Sequence, residues 1–265
     1  MNNLLKGKKG IIFGALDENS IAWKVALKAK EQGAEFVLSN APVALRLGKI
    51  SELAELCDTT VIAADATNVE DLENLFDQAI EKYGKLDFIL HSIGMSPNVR
   101  KNKAYTELNY DWFLKTLDIS ALSFHKVLQV AYQKDALNEW SSVVALTYIA
   151  AQRTFPGYND MAEAKATLES IARSFGYHYG TKKNVRVNTI SQSPTMTTAG
   201  SGVKGFDVFY DYANKLSPLG NASSDSCADF TIALFSDLSR MVTMQNLFHD
   251  GGFSSIGMTE AFMGE

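Results

Sequence analysis

The chain has 265 residues, a length that one hydrophobic core can organise, so we expect a single domain spanning residues 1–265. Its 30 acidic and 25 basic side chains give a net charge of −5 at pH 7, which argues against general nucleic-acid binding. No apolar run approaches the roughly 20 residues of a membrane span, and the N-terminus lacks a signal-peptide pattern. The sequence therefore predicts a cytoplasmic protein with no membrane or nucleic-acid partner.

Seven short runs rich in β-forming residues alternate with helical segments along the chain. The runs are 10–13, 35–39, 59–64, 86–92, 142–147, 185–191 and 246–250. Between them, apolar stripes with helical spacing end at Gly33, at Gly84 and near Gly180, and glycine is common at a helix end. Apolar strands that alternate with amphipathic helices predict an α/β fold, a doubly wound, Rossmann-like parallel sheet of about seven strands.

The junction between the first strand and the first helix is where such a sheet binds a dinucleotide. Gly14 allows the chain to turn off the strand, and Ser20 is placed to cap a helix that begins at Ile21. Free N–H groups and the positive helix end at this point suit a pyrophosphate. The spacing is not G-x-G-x-x-G, so an ordinary strand-to-helix turn is an open alternative.

The ends of the second and third strands bear on the choice of cofactor. Asn40, at the second strand end, is neither acid nor base, and the nearest cation is Arg46 on the expected next helix. A 2′-phosphate favours Arg or Lys at this tip, so an uncharged tip predicts NADH rather than NADPH. At the third strand end, Asp65, followed by Ala66, either accepts the adenine amino group or caps the next turn.

The fourth strand ends with His91, Ser92, Ile93 and Gly94. Gly94 permits the backbone to pass close to a ribose, so we assign Ser92, Ile93 and Gly94 to the cofactor site. His91 lies inside a strand that is expected to be covered on both faces, which favours a hydrogen-bonded structural histidine over a catalytic one. The four histidines and two cysteines show no metal-ligand spacing, so no metal site is predicted.

Tyr158 and Lys165 lie seven residues apart in a segment with helical spacing, which corresponds to about two turns. Both side chains would then share one face, with the long arm of Lys165 pointing back toward Tyr158. A phenol near an ammonium is a proton donor with electrostatic assistance. This pair, with Tyr148 in the same stretch, indicates reductase chemistry.

Together these motifs resemble the short-chain dehydrogenase/reductase superfamily, and closely its bacterial enoyl-acyl-carrier-protein reductase branch. That branch spaces the tyrosine and lysine seven apart and adds a tyrosine ten residues upstream, as Tyr148, Tyr158 and Lys165 do. Further matching segments are 14–22, 91–94, 118–120, 185–188 and 249–253. The departures are Lys24, where glycine is common, and Gln192-Ser193, where a small residue and glycine usually precede the proline.

A second pair, Tyr179 and Lys183, has the four-residue spacing that is usual in the wider superfamily and would imply a ketone reductase or an alcohol dehydrogenase. Gly180 falls between them and a strand follows at once, which indicates a helix C-terminus. Lysines at that end satisfy terminal carbonyls and the helix dipole. We therefore reject this pair as the active site.

The resemblance implies NADH-dependent reduction of the trans-2 double bond of enoyl-acyl-carrier-protein thioesters in fatty acid biosynthesis. It implies that Tyr158 hydrogen-bonds the thioester oxygen and that Lys165 binds the nicotinamide ribose. It also implies that Tyr148 lines the acyl pocket, for which plain aromatic packing is the alternative. The implied partner is acyl carrier protein carrying the enoyl substrate, and the implied assembly is a homotetramer.

The remaining contacts implied by the resemblance lie after the fourth and fifth strands and in or after the sixth. The nicotinamide contacts are Ile190, Pro194, Thr195 and Met196, with Thr195 near the carboxamide. The substrate contacts are Met95, Phe206, Tyr148 and Tyr158.

Residues 193–218 carry glycines at positions 200, 202 and 205 among apolar side chains. At the carboxyl edge of the sheet, this composition predicts a mobile flap over an acyl chain, and a loop with a short core helix is the alternative. Near the C-terminus, Phe253 and Phe262 are expected at a subunit interface or in a core plug.

Two other functions stay open at the level of the sequence. One is a related reductase that acts on a ketone or on enoyl-CoA, and the other is a non-catalytic, cofactor-binding regulator. The intact pair of Tyr158 and Lys165 argues against a regulator, because a sensor has no need of a proton donor.

Overall fold

The computed structural model describes residues 3–198, 200 and 205–260. In this part of the chain seven strands form one sheet: β1 (Lys9–Phe13), β2 (Glu35–Asn40), β3 (Thr60–Ala63), β4 (Leu86–His91), β5 (Leu137–Thr147), β6 (Arg186–Gln192) and β7 (Asn246–His249). Each neighbouring pair is parallel, and the order across the sheet is β3-β2-β1-β4-β5-β6-β7.

Helices connect the strands and lie on both faces of the sheet. They are α1 (Ile21–Glu31), α2 (Pro42–Leu47), α3 (Ile50–Cys57), α4 (Val69–Tyr83), α5 (Pro97–Arg100), α6 (Tyr110–Leu117), α7 (Ser123–Gln133), α8 (Asp160–Lys183), α9 (Phe206–Leu216) and α10 (Ser224–Phe235). A short π-helical stretch, Asp118–Leu122, joins α6 to α7.

Two separate apolar cores hold these layers together. On one face α4 and α7 pack against the sheet through Phe76 and Phe124, which are fully buried. On the other face α1 and α10 pack through Val25 and Ile232, which are buried as well. Strands covered on both faces are near-continuous apolar runs, which is the pattern that the sequence shows. The predicted doubly wound parallel sheet is confirmed.

The strand order reverses between β1 and β4, and a doubly wound sheet opens a crevice at such a point. Gly14, which follows β1, has a φ of +93°, and a Cβ built there would lie 2.0 Å from the carbonyl oxygen of Ser92. Glycine is therefore required where the ends of β1 and β4 pass each other. This close approach sets the width of the crevice.

The predicted strands are all present, with ends close to those expected. β5 begins at Leu137, earlier than predicted, because its ladder with β4 continues past an irregularity where Trp140 has a φ of +63°. Helix α8 runs past Gly180 to Lys183 and ends where Asn184 takes a left-handed conformation with a φ of +56°. A glycine inside a helix is tolerated when packing compensates for its low propensity.

The rejected tyrosine–lysine pair lies away from the crevice. Tyr179 is 1% exposed, and its hydroxyl donates a hydrogen bond to the carbonyl oxygen of Leu128 at 3.0 Å. Lys183 forms an ion pair with Asp135 at the helix end. These contacts agree with the rejection.

Within the described ranges, no helix combines the length and the apolar character needed to cross a bilayer. Residues 199 and 201–204 of the predicted flap, and Phe262, lie outside the described residues. The part of the flap from Phe206 onward forms α9.

Candidate active site

A cavity of about 230 Å³ lies at the carboxyl edge of the sheet, between the ends of β4, β5 and β6 and helices α8 and α9. The predicted site residues that line it are Ile21, Ser92, Ile93, Gly94, Met95, Tyr148, Tyr158, Lys165, Pro194, Thr195 and Phe206. Those that do not line it are Gly14, Ser20, Asn40, Asp65, Ala66, Ile190 and Met196. Four chain segments that are far apart in sequence thus meet at one cavity.

Two tyrosine side chains form part of the cavity wall. The ring centroids of Tyr148 and Tyr158 are 5.1 Å apart, with an interplanar angle of 53°. Burial raises the pKa of the Tyr158 hydroxyl, and the neighbouring Tyr148 raises it further. Burial also raises the pKa of Tyr148, with a smaller contribution from the carboxylate of Asp250. Both phenols are therefore neutral at pH 7 and can donate hydrogen bonds.

Lys165 contributes a buried cation to the same cavity. Its side chain is 8% exposed, and Nζ donates a hydrogen bond to the carbonyl oxygen of Leu146 at 2.8 Å. Nζ also lies 3.6 Å from the position that a Cβ would take on Gly94. Burial lowers the pKa of Lys165 to about 8, against the opposing effect of Glu169. The ammonium is therefore mostly protonated at pH 7, and it lies beside the end of β4.

The start of α8 differs from the prediction that Tyr158 and Lys165 share one helical face. Asn159 has a φ of +49°, which a right-handed helix does not allow, so α8 begins at Asp160. Tyr158 lies in the turn before the helix. The prediction of a shared helical face is wrong, and the turn brings Tyr158 to the cavity instead.

The carboxylate of Asp160 fixes this turn. Asp160 is fully buried and accepts hydrogen bonds from the hydroxyl of Ser96 at 2.6 Å, the amide of Asn98 at 2.8 Å and the hydroxyl of Thr116 at 2.8 Å. A negative charge in the first turn of a helix is favourable because it interacts with the helix dipole. The cluster ties α5 and α6 to the start of α8. No spacing in the sequence indicates it.

Ser20 occupies the N-cap position of α1, but its hydroxyl does not cap the helix. Oγ accepts hydrogen bonds from the N–H groups of Leu16 and Asp17 at 3.1 and 3.0 Å and donates to the carbonyl oxygen of Asp17 at 2.7 Å. The predicted capping role is wrong, because the hydroxyl shapes the turn that precedes the helix. After the turn at Gly14, the uncapped N-terminus of α1 offers N–H groups to an anion such as pyrophosphate.

The tip of β2 carries no charged side chain. The Asn40 amide donates a hydrogen bond to the carbonyl oxygen of Ala15 at 3.0 Å, and its Oδ1 accepts one from the N–H of Ala41 at 2.9 Å. Arg46 lies on α2, the helix that follows β2, as predicted, and its side chain is exposed. The tip is thereby tied to the turn after β1.

The other residues outside the cavity have identifiable local roles. Asp65 Oδ1 accepts hydrogen bonds from the N–H and the hydroxyl of Thr67 at 2.9 and 2.8 Å, which favours the turn cap over an adenine contact. Ala66 and Ile190 are buried in the two apolar cores, and Met196 is 53% exposed. Their contacts with a cofactor stay predictions.

His91 is fully buried in β4, and its Nε2 lies 2.9 Å from the hydroxyl of Ser123. That hydroxyl donates its proton to the carbonyl oxygen of Ile119 at 2.6 Å, so Nε2 carries the imidazole proton. Burial, together with a smaller effect of the charge of Lys165, lowers the pKa of His91 to about 3. The ring is neutral and held in the core, as a structural histidine is.

Gln192 stands where the related family usually has a small residue, and its side chain has three hydrogen-bond partners. Nε2 donates to the hydroxyl of Thr195 at 3.2 Å and to the carbonyl oxygen of Ala222 at 3.0 Å. Oε1 lies 2.7 Å from Nδ1 of His249. The longer side chain therefore braces the segment after β6 against β7.

Aromatic rings extend the cavity wall beyond the two tyrosines. The ring centroid of Phe155 lies 5.3 Å from that of Tyr148, 6.1 Å from that of Phe209 on α9 and 6.2 Å from that of Phe253. The lining residues for which sequence reasoning predicted no role in the site include Ser96, Val99, Arg100, Leu146, Phe155, Met161 and Thr197. Phe155 is the one aromatic residue between Tyr148 and Tyr158, and this place between them is the available sequence signal for it. A largely apolar wall suits an acyl chain.

A doubly wound sheet with a glycine turn after β1 and a tyrosine–lysine pair at its carboxyl edge defines a nicotinamide-dependent reductase of the short-chain dehydrogenase/reductase class. Residues 14–254 match the family described as enoyl-(acyl carrier protein) reductase, and the chain belongs to that family. No group of three or more His, Cys, Asp or Glu side chains in the described ranges is arranged to hold a metal ion.

Individual relatives match over nearly the whole chain. The enoyl-[acyl-carrier-protein] reductase [NADH] 2 of Rhizobium meliloti is 32% identical over 259 residues, covering 97% of this chain and 96% of the relative. The crystal structure of a FabI–NADH complex from Alistipes finegoldii is 66% identical with a TM-score of 0.97, covering 98% of this chain and 92% of that chain. A Bacillus cereus enoyl-acyl carrier protein reductase solved with NADP+ and indole naphthyridinone is 29% identical with a TM-score of 0.90, covering 96% and 99%.

Gly14→Ala is expected to destabilise the protein and weaken NADH binding together. A Cβ at this position meets the Ser92 carbonyl at 2.0 Å and would force the end of β1 away from β4. Strained backbone of this kind costs about 1–3 kcal/mol before the collision is added. The matched control is Gly84→Ala, where φ is +74° and nothing lies within 4 Å of the new Cβ. Thermal unfolding and NADH titration are the measurements, and equal effects of the two changes would contradict the role of the close approach.

Proposed function

We propose that this protein is an enoyl-[acyl-carrier-protein] reductase that uses NADH to reduce the trans-2 double bond of enoyl thioesters in fatty acid biosynthesis. The observation that carries the proposal is the meeting of Tyr158, Lys165 and the end of β4 at one apolar cavity. Family membership and relatives named for this activity support it. The turn at Gly14 and the uncapped start of α1 fit the pyrophosphate of the cofactor.

Tyr158 is the proposed hydrogen-bond donor. When bound, NADH supplies a hydride to the β-carbon of the thioester, and negative charge then grows on the thioester oxygen. The raised pKa of Tyr158 keeps its phenol protonated, so the hydroxyl can donate to that oxygen. A donor that acts where charge develops lowers the barrier more than it strengthens ground-state binding.

Lys165 is proposed to hold the nicotinamide ribose and to favour the developing anion. Its ammonium lies beside Gly94, and a pKa of about 8 leaves it protonated at pH 7. A buried positive charge acts strongly on a nearby anion because little water screens it. Ser92, Ile93 and Gly94 would form the adjoining cofactor contacts, with Ile21 and the segment Pro194–Met196.

The acyl chain is proposed to lie along the apolar wall of the cavity. Met95, Tyr148 and Phe206 line that wall, together with Phe155 and Phe209. The partner is proposed to be acyl carrier protein bearing the enoyl group. We also propose a homotetramer in the cytoplasm.

Turnover of a crotonyl thioester of acyl carrier protein with NADH, followed by loss of NADH absorbance, tests this function. An acetoacetyl thioester is the matched ketone substrate. The proposal expects NADH oxidation with the enoyl substrate and little with the ketone. The reverse preference would indicate a ketone reductase, and NADH binding without turnover of either would indicate a regulator.

Tyr158→Phe is expected to lower kcat roughly 10²–10³-fold with a much smaller change in KM for the thioester, because the lost hydroxyl acts mainly in the transition state. Tyr148→Phe is the matched control, since the ring centroid of this second cavity tyrosine lies 5.1 Å from that of Tyr158. It should change KM for the thioester more than kcat. Steady-state kinetics decide the point, and an unaltered kcat in Tyr158→Phe would remove that hydroxyl from the reaction.

Cofactor choice is expected to favour NADH. The β2 tip carries Asn40 and Ala41 and no cation, so a 2′-phosphate would lose hydration without a charged partner. A charged hydrogen bond contributes about 1.5–3 kcal/mol, which corresponds to a preference of roughly tenfold or more in kcat/KM.

Ala41→Arg should reduce this preference by raising kcat/KM with NADPH. The measurement is kcat/KM with each of the two cofactors. Arg46, exposed on the neighbouring α2, is the cation that would account for a contrary result. If the unaltered enzyme used NADPH equally well, Arg46→Ala would show whether that side chain recognises the phosphate.

The segment 193–218 is proposed to be a flap that closes over the acyl chain, with Phe206 and Phe209 of α9 facing the cavity. In the ligand-free protein it should be the first region cut by trypsin, which cleaves after Lys204 and Lys215. NADH together with a saturated acyl thioester should slow that cleavage. Mass spectrometry of early fragments gives the site, and first cleavage elsewhere or equal rates with ligand would contradict a closing flap.

A further inference from the structure

Glu169 is a buried carboxylate on α8, one helical turn after Lys165. It is 5% exposed. Its Oε1 accepts hydrogen bonds from the hydroxyl of Thr147 at 2.9 Å and from the amide of Asn246 at 3.2 Å, and Oε2 accepts one from the amide of Gln152 at 3.0 Å. The three partners all donate, which is what an acceptor-only carboxylate requires. They belong to β5, to β7 and to the segment after Tyr148.

These contacts hold both ends of the segment that carries Tyr148. Thr147 precedes that tyrosine, and Gln152 follows the single 3₁₀ turn Ile149–Ala151 behind it. Because one carboxylate binds both residues, it closes the segment into a short loop on the surface of α8. The position of the Tyr148 ring at the cavity therefore depends on Glu169.

The same carboxylate acts on Lys165. Residues four apart on a helix lie side by side, about 5–6 Å between Cβ atoms. Lys165 Nζ itself donates to the carbonyl oxygen of Leu146, the residue before Thr147. At the end of β5, Leu146 thus accepts a hydrogen bond from Lys165, and the next residue, Thr147, donates one to Glu169.

The titratable groups around the ammonium leave Glu169 as its counter-charge. On β4, His91 has a pKa of about 3 and is neutral. In the turn before α8, Tyr158 has a raised pKa and is neutral too, as is Tyr148 after β5. Burial lowers the pKa of Lys165 to about 8, and Glu169 is the group that opposes this shift.

We propose that Glu169 is a positioning residue: its carboxylate fixes the Tyr148 segment at the cavity and keeps the Lys165 ammonium charged. The inference rests on the proposed roles of Lys165 and Tyr158, and it adds a second layer behind them. Glu169 does not line the cavity, so it acts through the residues that do.

The test compares Glu169→Gln with Thr147→Val. The amide removes the negative charge, so protonation of Lys165 becomes less favourable and its pKa falls. The valine removes one hydrogen bond to the carboxylate and leaves its charge. For the unaltered enzyme, kcat/KM should decline as pH rises through about 8, where Lys165 loses its proton.

In Glu169→Gln this alkaline decline should move about one pH unit lower, so that kcat/KM above pH 8 falls about tenfold further than at pH 6. The KM for the thioester should rise at every pH. The glutamine amide places N–H groups against donors that now point at the Glu169 carboxylate, which would loosen the Tyr148 segment. In Thr147→Val the decline should stay where it is in the unaltered enzyme. A folded Glu169→Gln with an unshifted decline would overturn the proposal.

One further measurement separates failure of this proposal from failure of the proposed function. NADH binding as a function of pH, followed by its fluorescence, reports the charge of Lys165 without any turnover. If the unaltered protein fails to reduce enoyl thioesters, the proposed function fails, whereas the NADH profile of Glu169→Gln still tests the role of Glu169.

If Glu169→Gln does not fold, Gln152→Met provides the test. Gln152 is exposed, and its replacement removes one hydrogen bond to Glu169 without changing the charge of that carboxylate. It should raise the KM for the thioester without moving the alkaline decline. No change in KM would overturn the positioning of Tyr148, and a moved decline would overturn the charge argument.

Discussion

Lys165 carries an ammonium group that is only 8% exposed, and burying an ion costs several kcal/mol unless hydrogen bonds and a counter-charge compensate for lost hydration. The protein meets this requirement with the Leu146 carbonyl and with the carboxylate of Glu169 on the same helix. Both lie where β5 ends against α8. Accommodating this one charge therefore determines how the strand end, the helix and the loop between them are arranged.

Lys165 is a buried cation beside groups that are neutral, whereas Arg100, which also lines the cavity, is exposed to solvent. Burial keeps both phenols protonated and leaves His91 unprotonated. A buried positive charge beside neutral donors suits a reaction in which one negative charge appears and disappears. The arrangement differs from an acid–base pair of carboxylates, because here the donor is a neutral phenol and the charged group is a cation.

Aromatic rings form much of the cavity wall beyond the two tyrosines. Phe155 contacts Tyr148, Phe209 and Phe253, so it joins the two tyrosines of the cavity to α9 and to the chain after β7. Gln192 braces the segment after β6 through Thr195 and His249. A displacement of α9 would therefore alter the packing of Phe155 against Tyr148.

Much of the fold was determined by local sequence: seven apolar runs separated by amphipathic stripes have one common solution, a parallel sheet covered on both faces. The tyrosine–lysine pair and the glycine turn could be recognised as well, because each lies within one short segment. Tertiary structure alone decided that Tyr158 reaches the cavity from a turn, and that Asp160 and Glu169 gather donors from distant elements. Buried carboxylates leave no periodic trace, since their partners depend on which chain ends the sheet brings together.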